Sequence, residues 1–201
     1  KLSSREHVHF DRQVKQKEKI WHDLTLTPLP YAPDLKIYCL YGVGLETERA
    51  YFYKKNDEDE SNESQNAHKA RMEMPFVLDT SIDDPAHKIK HGIKYVDGDH
   101  SVPLLSLGYM CADGWRRKST GLNPSNTKVI TREYANRNEF DSSDPMRGGP
   151  YSADHVDILG NLDMITDLMK IVTGEELEDK FESEILNIAK AINEHGGIRK
   201  R

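Results

Sequence analysis

The sequence predicts an α/β fold whose sheet is incomplete and flanked by helices. Three observations carry this expectation. Short runs rich in β-branched and aromatic residues are bounded by turn signals, the pattern of strands. Two segments near the end space their apolar residues three and four apart, the pattern of a helix face. The mixture points to α/β, but four strand candidates with few long crossover helices are too sparse for a complete doubly wound domain. The second part of such a domain is therefore expected.

The elements follow in chain order. Residues 1–30 are charged and lightly patterned, and Leu24, Leu26 and Leu29 run into Pro28, Pro30 and Pro33, which prevent a helix. Residues 35–41, LKIYCLY, read as a strand that stops at the turn signal Gly42-Val43-Gly44. Residues 54–70, KKNDEDESNESQNAHKA, offer nothing to bury and are expected to form a mobile polar insertion loop. Residues 74–78 and 93–96 are short strands, the latter running directly into Asp97-Gly98-Asp99. A helix opens within residues 102–111, with Pro103 near its first turn. Residues 127–134 alternate as a strand, although its faces are poorly separated. Residues 141–151, with Gly148-Gly149-Pro150, are loop.

Two helices then close the chain. Apolar residues at 158, 162, 165, 168 and 171 form one helical stripe. Thr173 stands three residues before Glu176, a capping-box spacing, ahead of a second stripe of Leu177, Phe181, Ile185, Ala189 and Ile192. Gly196-Gly197 ends that helix.

Composition excludes several functions. The chain has 201 residues, 28 Lys plus Arg against 34 Asp plus Glu, and a formal charge of −6. That balance speaks against nucleic acid as a partner. Nine Tyr, five Phe and two Trp are too many for a disordered tail. The longest apolar-leaning run, residues 102–112, is 11 residues long, against about 20 for a membrane span. The first residue is Lys1 and the opening stretch has no apolar core, so a piece of a longer polypeptide is expected.

Two constellations could carry chemistry. In the first, a strand delivers Asp97-Gly98-Asp99-His100-Ser101 into a tight turn before a helix. Reactive groups cluster at such strand ends in open α/β sheets, yet Asp-Gly is also an ordinary turn dipeptide. In the second, Ser152-Ala153-Asp154-His155-Val156-Asp157-Ile158-Leu159-Gly160-Asn161 places a histidine in a polar loop before a helix. A general base needs that access and a proton-accepting nitrogen near neutral pH; the plainer reading is a loop histidine beside capping carboxylates.

Together they say more. The acid precedes the histidine by 56 residues with one strand between them, and acid before histidine is the α/β-hydrolase order. No G-x-S-x-G nucleophile motif occurs; Ser106 lacks the first glycine and follows the acid. A calcium loop starting at Asp97 fails because its sixth position is Val102 and its twelfth Gly108. Gly42-Val43-Gly44 lacks the third glycine of a dinucleotide site, since position 47 is Thr. Arg116-Arg117-Lys118 reads as a solvated surface turn, with phosphate headgroups as the alternative. Asp154, His155 and Asp157 supply no clear metal ligand set, and no metal or organic cofactor is expected. Cys39 and Cys111 are either buried free thiols, which the sequence alone favours, or one bridge.

Read as an ordered set, these segments resemble a known family. They are Pro30-Tyr31-Ala32-Pro33 leading into IYCLYGVG at 37–44, Thr47-Glu48-Arg49-Ala50-Tyr51, Asp97-Gly98-Asp99, Ser101-Val102-Pro103, GYMCADGW at 108–115, Asn123-Pro124-Ser125, Thr131-Arg132-Glu133-Tyr134, Arg147-Gly148-Gly149 and ADHVDILGN at 153–161. Over roughly residues 20–195 the chain is similar to the C-terminal half of phospholipid:diacylglycerol acyltransferases, within the lecithin:cholesterol acyltransferase family. The resemblance implies that residues 1–201 form the C-terminal part of one α/β-hydrolase domain. It implies transfer of a fatty acyl group from a phospholipid donor to a diacylglycerol acceptor, giving triacylglycerol and a lysophospholipid. The family's acid matches Asp99 and its base matches His155, with Asp97 as the fallback acid. His100 and Ser101 stand where the family varies, often with Gly and Thr.

Further implications follow from the same likeness. The family's serine elbow and oxyanion loop belong upstream, so the chain alone is expected to be inactive. Lecithin:cholesterol acyltransferase joins cysteines at positions matching Cys39 and Cys111, which turns the balance towards a bridge and an oxidising compartment. The full-length protein is expected at the endoplasmic reticulum membrane, anchored N-terminally, with its catalytic domain in the lumen. Asn62-Glu63-Ser64 in the polar loop is a glycosylation sequon. A phospholipase-like hydrolase and a non-catalytic lipid-binding remnant are the alternatives.

Overall fold

The computed structural model describes residues 27–56, 75–137 and 148–196. Among these lie seven strands: β1 (Lys36–Val43), β2 (Leu45–Tyr51), β3 (Tyr53–Lys55), β4 (Phe76–Leu78), β5 (Ile89–Lys90), β6 (Ile93–Gly98) and β7 (Lys128–Ala135). The helices are α1 (Leu104–Tyr109), α2 (Leu162–Thr173) and α3 (Ile185–Glu194). The fold class is mixed α/β, but the expected single sheet is replaced by three small ones: β1 with β7, β2–β6–β5, and β3 with β4. The sequence reading missed β2 because Glu46, Glu48 and Arg49 charge it. Glu46 and Glu48 alternate about the buried Thr47, which alone marks its inner face. No helix among the described residues is long and apolar enough to cross a membrane.

The chain divides into two compact units. The first comprises Lys1–Tyr41, Leu105–Tyr134 and Asp163–Arg201. Its buried residues include Tyr41, Ile130, Tyr134, Leu177, Ile185 and Ala189. A Cβ at Gly108 would lie 2.4 Å from Tyr41 Oη and 2.9 Å from an Ile185 carbon, so glycine sets this close approach. Cys39 on β1 is joined to Cys111, just beyond α1, across 72 residues of chain. The two cysteines are therefore a bridge.

Glu133, on β7, is fully buried and explains why the second C-terminal helix is shorter than its stripe. One carboxylate oxygen accepts from the backbone N–H of Glu182 at 2.6 Å and of Ser183 at 2.7 Å. The other accepts from Tyr41 Oη at 2.8 Å and Ser183 Oγ at 2.7 Å. Lys180 bridges β7 in parallel, donating to Thr131 O at 2.8 Å and accepting from Glu133 N at 2.9 Å. Residues around 180–183 are thereby held along the strand, and the helix begins only at Ile185. Leu177 and Ile185 are buried as the stripe requires, but without a common helix. The expected capping box is absent: Thr173 ends α2, and its hydroxyl donates back to Met169 O at 3.0 Å.

The first C-terminal helix also departs from its reading. Residues Asp157–Gly160 form a 3-10 turn, Asn161 is extended, and α2 starts at Leu162. Its buried residues are Met164 and Asp167, whereas Leu162, Ile165 and Leu168 are exposed. Asp167 faces inward because Arg132 Nε (2.8 Å) and Tyr134 Oη (2.9 Å) donate to it. A charged pair with a phenol thus overrides the apolar stripe. The basic cluster is likewise not a free surface turn. Arg116 grips Asp179 with two bonds of 2.6 Å and donates to Thr131 Oγ1 at 3.0 Å, while Arg117 pairs with Asp113 at 3.0 Å.

The second unit comprises Gly42–Leu104 and Ala135–Leu162. Its three-stranded sheet is antiparallel, with Thr47 of β2 opposite Val96 of β6 and an irregularity between Glu48 and Ala50. In the polar stretch 54–70, Lys54 and Lys55 belong to β3, while residues 57–70, including Asn62, lie outside the described residues.

Candidate active site

The candidate residues lie in the second unit, on the turn after β6 and the loop before α2. The turn is set by a glycine that nothing else could replace. A Cβ on Gly98 would meet Val102 O at 2.4 Å and Thr47 Oγ1 at 2.5 Å. His100 takes a left-handed conformation, φ 72°, and its N–H donates to Thr47 Oγ1 at 2.9 Å. Thr47 is almost fully buried, so it is a fixed post for the turn.

Asp99 is 4% exposed, and its carboxylate is fully used. Oδ1 accepts from Ser101 N at 3.0 Å and Val102 N at 2.7 Å, closing the turn on its own side chain. Oδ2 faces His155 Nδ1 at 2.7 Å. Asp97 is still within β6, one residue before the turn, and its Oδ1 accepts from Gly44 N at 2.7 Å. Of the two acids the sequence offered, only Asp99 meets the histidine.

The loop carrying His155 is pinned along its length. Gly148 and Gly149 both adopt positive φ, 75° and 73°, and Ser152 N donates to Gly149 O at 3.3 Å. Ala153 is fully buried, and its N–H reaches Asn136 Oδ1 at 3.0 Å. Its carbonyl oxygen would be 2.0 Å from a Cβ on Gly42. Gly42 therefore belongs to β1 and not to a turn; it is glycine because the histidine loop crosses there. Buried Asn161 donates to Ser152 O at 2.9 Å and holds the loop from its other end. Finally, His155 N donates to Asp99 O at 3.0 Å, so backbone and ring are both tied to the same acid.

A carboxylate oxygen accepts, so a hydrogen on Nδ1 satisfies this contact, and the neutral ring in that tautomer carries its lone pair on Nε2. The His155 side chain is 47% exposed against 6% for Asp99. The hydrogen bond and then the charge of Asp99 raise the His155 pKa above its ordinary value, desolvation opposes them, and the charge of Asp154 adds the smallest contribution, also upward. A half-exposed imidazole oriented by a buried carboxylate can accept a proton at Nε2 and be stabilised as the cation. Among the described residues no group of three or more His, Cys, Asp or Glu side chains could hold a metal ion. Sequence reasoning missed Asn136 and the roles of Thr47, Asn161 and Gly42. Gly42 was visible as a glycine pair following a strand, and the signal was misassigned to a turn.

Comparison with known proteins follows the same residues. The family model described as lecithin:cholesterol acyltransferase matches residues 3–162. The chain is 40% identical to phospholipid:diacylglycerol acyltransferase 1 of Arabidopsis thaliana, over 87% of this chain and 25% of that protein. It is 34% identical to the putative phospholipid:diacylglycerol acyltransferase 2 of the same plant, over 96% of this chain and 29% of that protein. It is 37% identical to the phospholipid:diacylglycerol acyltransferase of Schizosaccharomyces pombe, over 86% of this chain and 24% of that protein. The chain thus spans between a quarter and a third of the length of these relatives, or slightly less. No solved structure matches it.

Proposed function

The chain belongs to the lecithin:cholesterol acyltransferase family, and from that premise we propose that it carries the acid and base of a lipid acyltransferase. Residues 1–201 are read as the C-terminal part of one α/β-hydrolase domain. Asp99 is the acid that orients the histidine, and His155 is the general base. The nucleophilic serine is supplied by polypeptide beyond these residues, since the chain has no G-x-S-x-G.

The reaction uses Nε2 twice. It takes the proton of the serine hydroxyl as the oxygen attacks an acyl ester of the phospholipid. It returns that proton to the departing lysophospholipid oxygen, leaving an acyl-enzyme. The hydroxyl of diacylglycerol then loses its proton to Nε2 and attacks the acyl-enzyme, and triacylglycerol leaves as the serine is reprotonated. No cofactor enters either half. Asp99 keeps the ring in the Nδ1–H tautomer and stabilises the transient imidazolium. The observation that supports this reading most strongly is the doubled tie between Asp99 and His155, by ring at 2.7 Å and by backbone at 3.0 Å.

The Cys39–Cys111 bridge favours an oxidising compartment. We therefore assign the domain to the lumen of the endoplasmic reticulum, working at its membrane face. The test is acyl transfer from labelled phospholipid to diacylglycerol by the full-length protein. His155→Ala should abolish triacylglycerol formation, and Asp99→Asn should lower kcat by orders of magnitude. Undiminished transfer by His155→Ala would overturn the reading. Release of free fatty acid in place of triacylglycerol would reassign the centre as a hydrolase.

A further inference from the structure

Two Asp-His dipeptides meet in the second unit, and each histidine faces the carboxylate of the other dipeptide. Asp99 Oδ2 pairs with His155 Nδ1 at 2.7 Å, and Asp154 Oδ2 pairs with His100 Nδ1 at 2.9 Å. The reading of His155 as a base uses only the first pair. We propose that His100 and Asp154 form a second histidine–carboxylate clasp, which positions the His155 loop and places a second negative charge beside its ring. The proposal rests on the assignment of His155 as the base.

Several observations make the second pair more than an ordinary surface contact. His100 holds φ 72°, a conformation that L residues other than Asn and Asp rarely adopt and that costs of order 1 kcal/mol or more. That conformation is fixed by the bond from its N–H to buried Thr47. The ring is thereby carried to Asp154, whose other oxygen accepts from Val156 N at 3.3 Å. The Asp154 carboxylate thus spans from His100 to the backbone on the far side of His155. Side-chain exposures of 54% for His100 and 26% for Asp154 mean that the clasp adds little to stability. Its consequence is local: it holds one face of the loop that His155 occupies, and Asp154 favours the protonated ring.

The other acids of the same turn and loop are placed as follows. Asp99 approaches from the turn after β6 and is the first pair's acid. Asp97, also from β6, is turned to Gly44. Asp157, from the turn that follows the loop, lies where a Cβ on Gly148 would reach its carboxylate at 2.9 Å.

Asp154→Asn separates charge from shape. The carboxylate uses one oxygen for His100 and the other for Val156 N, so the amide oxygen keeps the shape and one of the two bonds, while the negative charge is gone. The measurement is per-residue hydrogen–deuterium exchange at the histidine Cε1 position, followed by mass spectrometry across pH, on the full-length protein. The His155 titration midpoint should fall in Asp154→Asn, and should fall further in Asp99→Asn. The acid limb of acyl transfer should move down with it. His100→Gly keeps the positive φ and deletes the ring; kcat should fall several-fold with KM unchanged. A midpoint unmoved in Asp154→Asn overturns the electrostatic half of the proposal, and a wild-type kcat in His100→Gly overturns the positioning half. If Asp154→Asn unfolds, the His100→Gly result decides. A midpoint that Asp99→Asn fails to lower would instead refute the assignment of the first pair, so the two failures are distinguishable.

Discussion

Glu133 offers the most quantitative test of how the first unit is built. Its carboxylate is fully buried and receives four hydrogen bonds: two from backbone N–H groups at 182 and 183, and two from the hydroxyls of Tyr41 and Ser183. The buried carboxylate has a second signature. Burial, together with the Glu133 charge and hydrogen bond, pushes the Tyr41 phenol far above its ordinary value. Replacement by Ala leaves all four donors facing a void. The hydroxyls can rotate to other acceptors, but the two backbone N–H groups cannot. Each unsatisfied buried donor costs about 1–3 kcal/mol, so Glu133→Ala should lose about 3–5 kcal/mol once the cavity is included. That is a large share of the 5–15 kcal/mol that typically holds a domain together.

Glu133→Gln should be milder. Its amide oxygen can accept from both backbone N–H groups, and its NH₂ can face the two hydroxyls, which turn to accept. The change exchanges charge-assisted bonds for neutral ones, a loss of about 2 kcal/mol. Urea unfolding followed by far-UV circular dichroism measures both variants. The expected result is two lowered midpoints at nearly unchanged slope, with Ala well below Gln. Stability of Glu133→Ala within about 0.5 kcal/mol of wild type would refute the reasoning.

Other perturbations test other parts. Reducing the Cys39–Cys111 bridge, which closes 72 residues, should cost about 2–4 kcal/mol in urea unfolding with and without reductant. Gly42→Ala would drive a methyl group into Ala153 O, so it should displace the His155 loop, cost about 1–3 kcal/mol and lower acyl transfer more than stability. The carboxyl of Asp179 is held below its ordinary value, chiefly by its hydrogen bonds from Arg116. Its stabilising contribution is therefore present above the unfolded carboxyl value and lost as pH falls through the lower folded one; Asp179→Asn should flatten the acid limb of a stability–pH curve. The sign is opposite for His155, whose pKa is raised chiefly by its hydrogen bond to Asp99. Its contribution to stability is fully present below the unfolded histidine value and is lost as pH rises through the folded one. The acid limb of acyl transfer should accordingly lie above pH ~6.5, and should fall in Asp99→Asn.

Legibility in the sequence followed the physics of each element. β1 and β7 were readable because their residues are β-formers buried by neighbours. β2 was not, since its charged positions carry no strand signal without their partner β6. Local patterning also misjudged the last two helices. The apolar stripe of α2 has helical spacing but stays exposed at Leu162, Ile165 and Leu168, because the Arg132–Asp167 pair turns Asp167 inward. The stripe from Leu177 to Ile192 is real too, but Glu133 takes the backbone of residues 182 and 183 that a longer helix would have needed. Such long-range polar pairs leave no periodic trace.

The candidate site was more legible than its scaffold. The motifs offered Asp97 or Asp99 and a loop histidine, the family resemblance pointed to Asp99 and His155, and the structure brings those two side chains to 2.7 Å. What fixes them was hidden. Thr47 and Asn136 lie far from the two constellations in sequence, Asn161 closes the histidine motif without a readable role, and all three act on the site through hydrogen bonds. The crossed pair His100–Asp154 was hidden for another reason: nothing in either segment marked the two residues as partners, and only the folded turn and loop bring them together.

The central claim concerns where the free nitrogen of His155 points. A crystal structure of the full-length protein measures this directly. The account predicts a serine Oγ within about 2.6–3.2 Å of His155 Nε2, allowing a looser contact without substrate, with Nδ1 still on Asp99. A structure in which Nε2 faces away from every serine, or in which Asp99 has left Nδ1 for another partner, would contradict it.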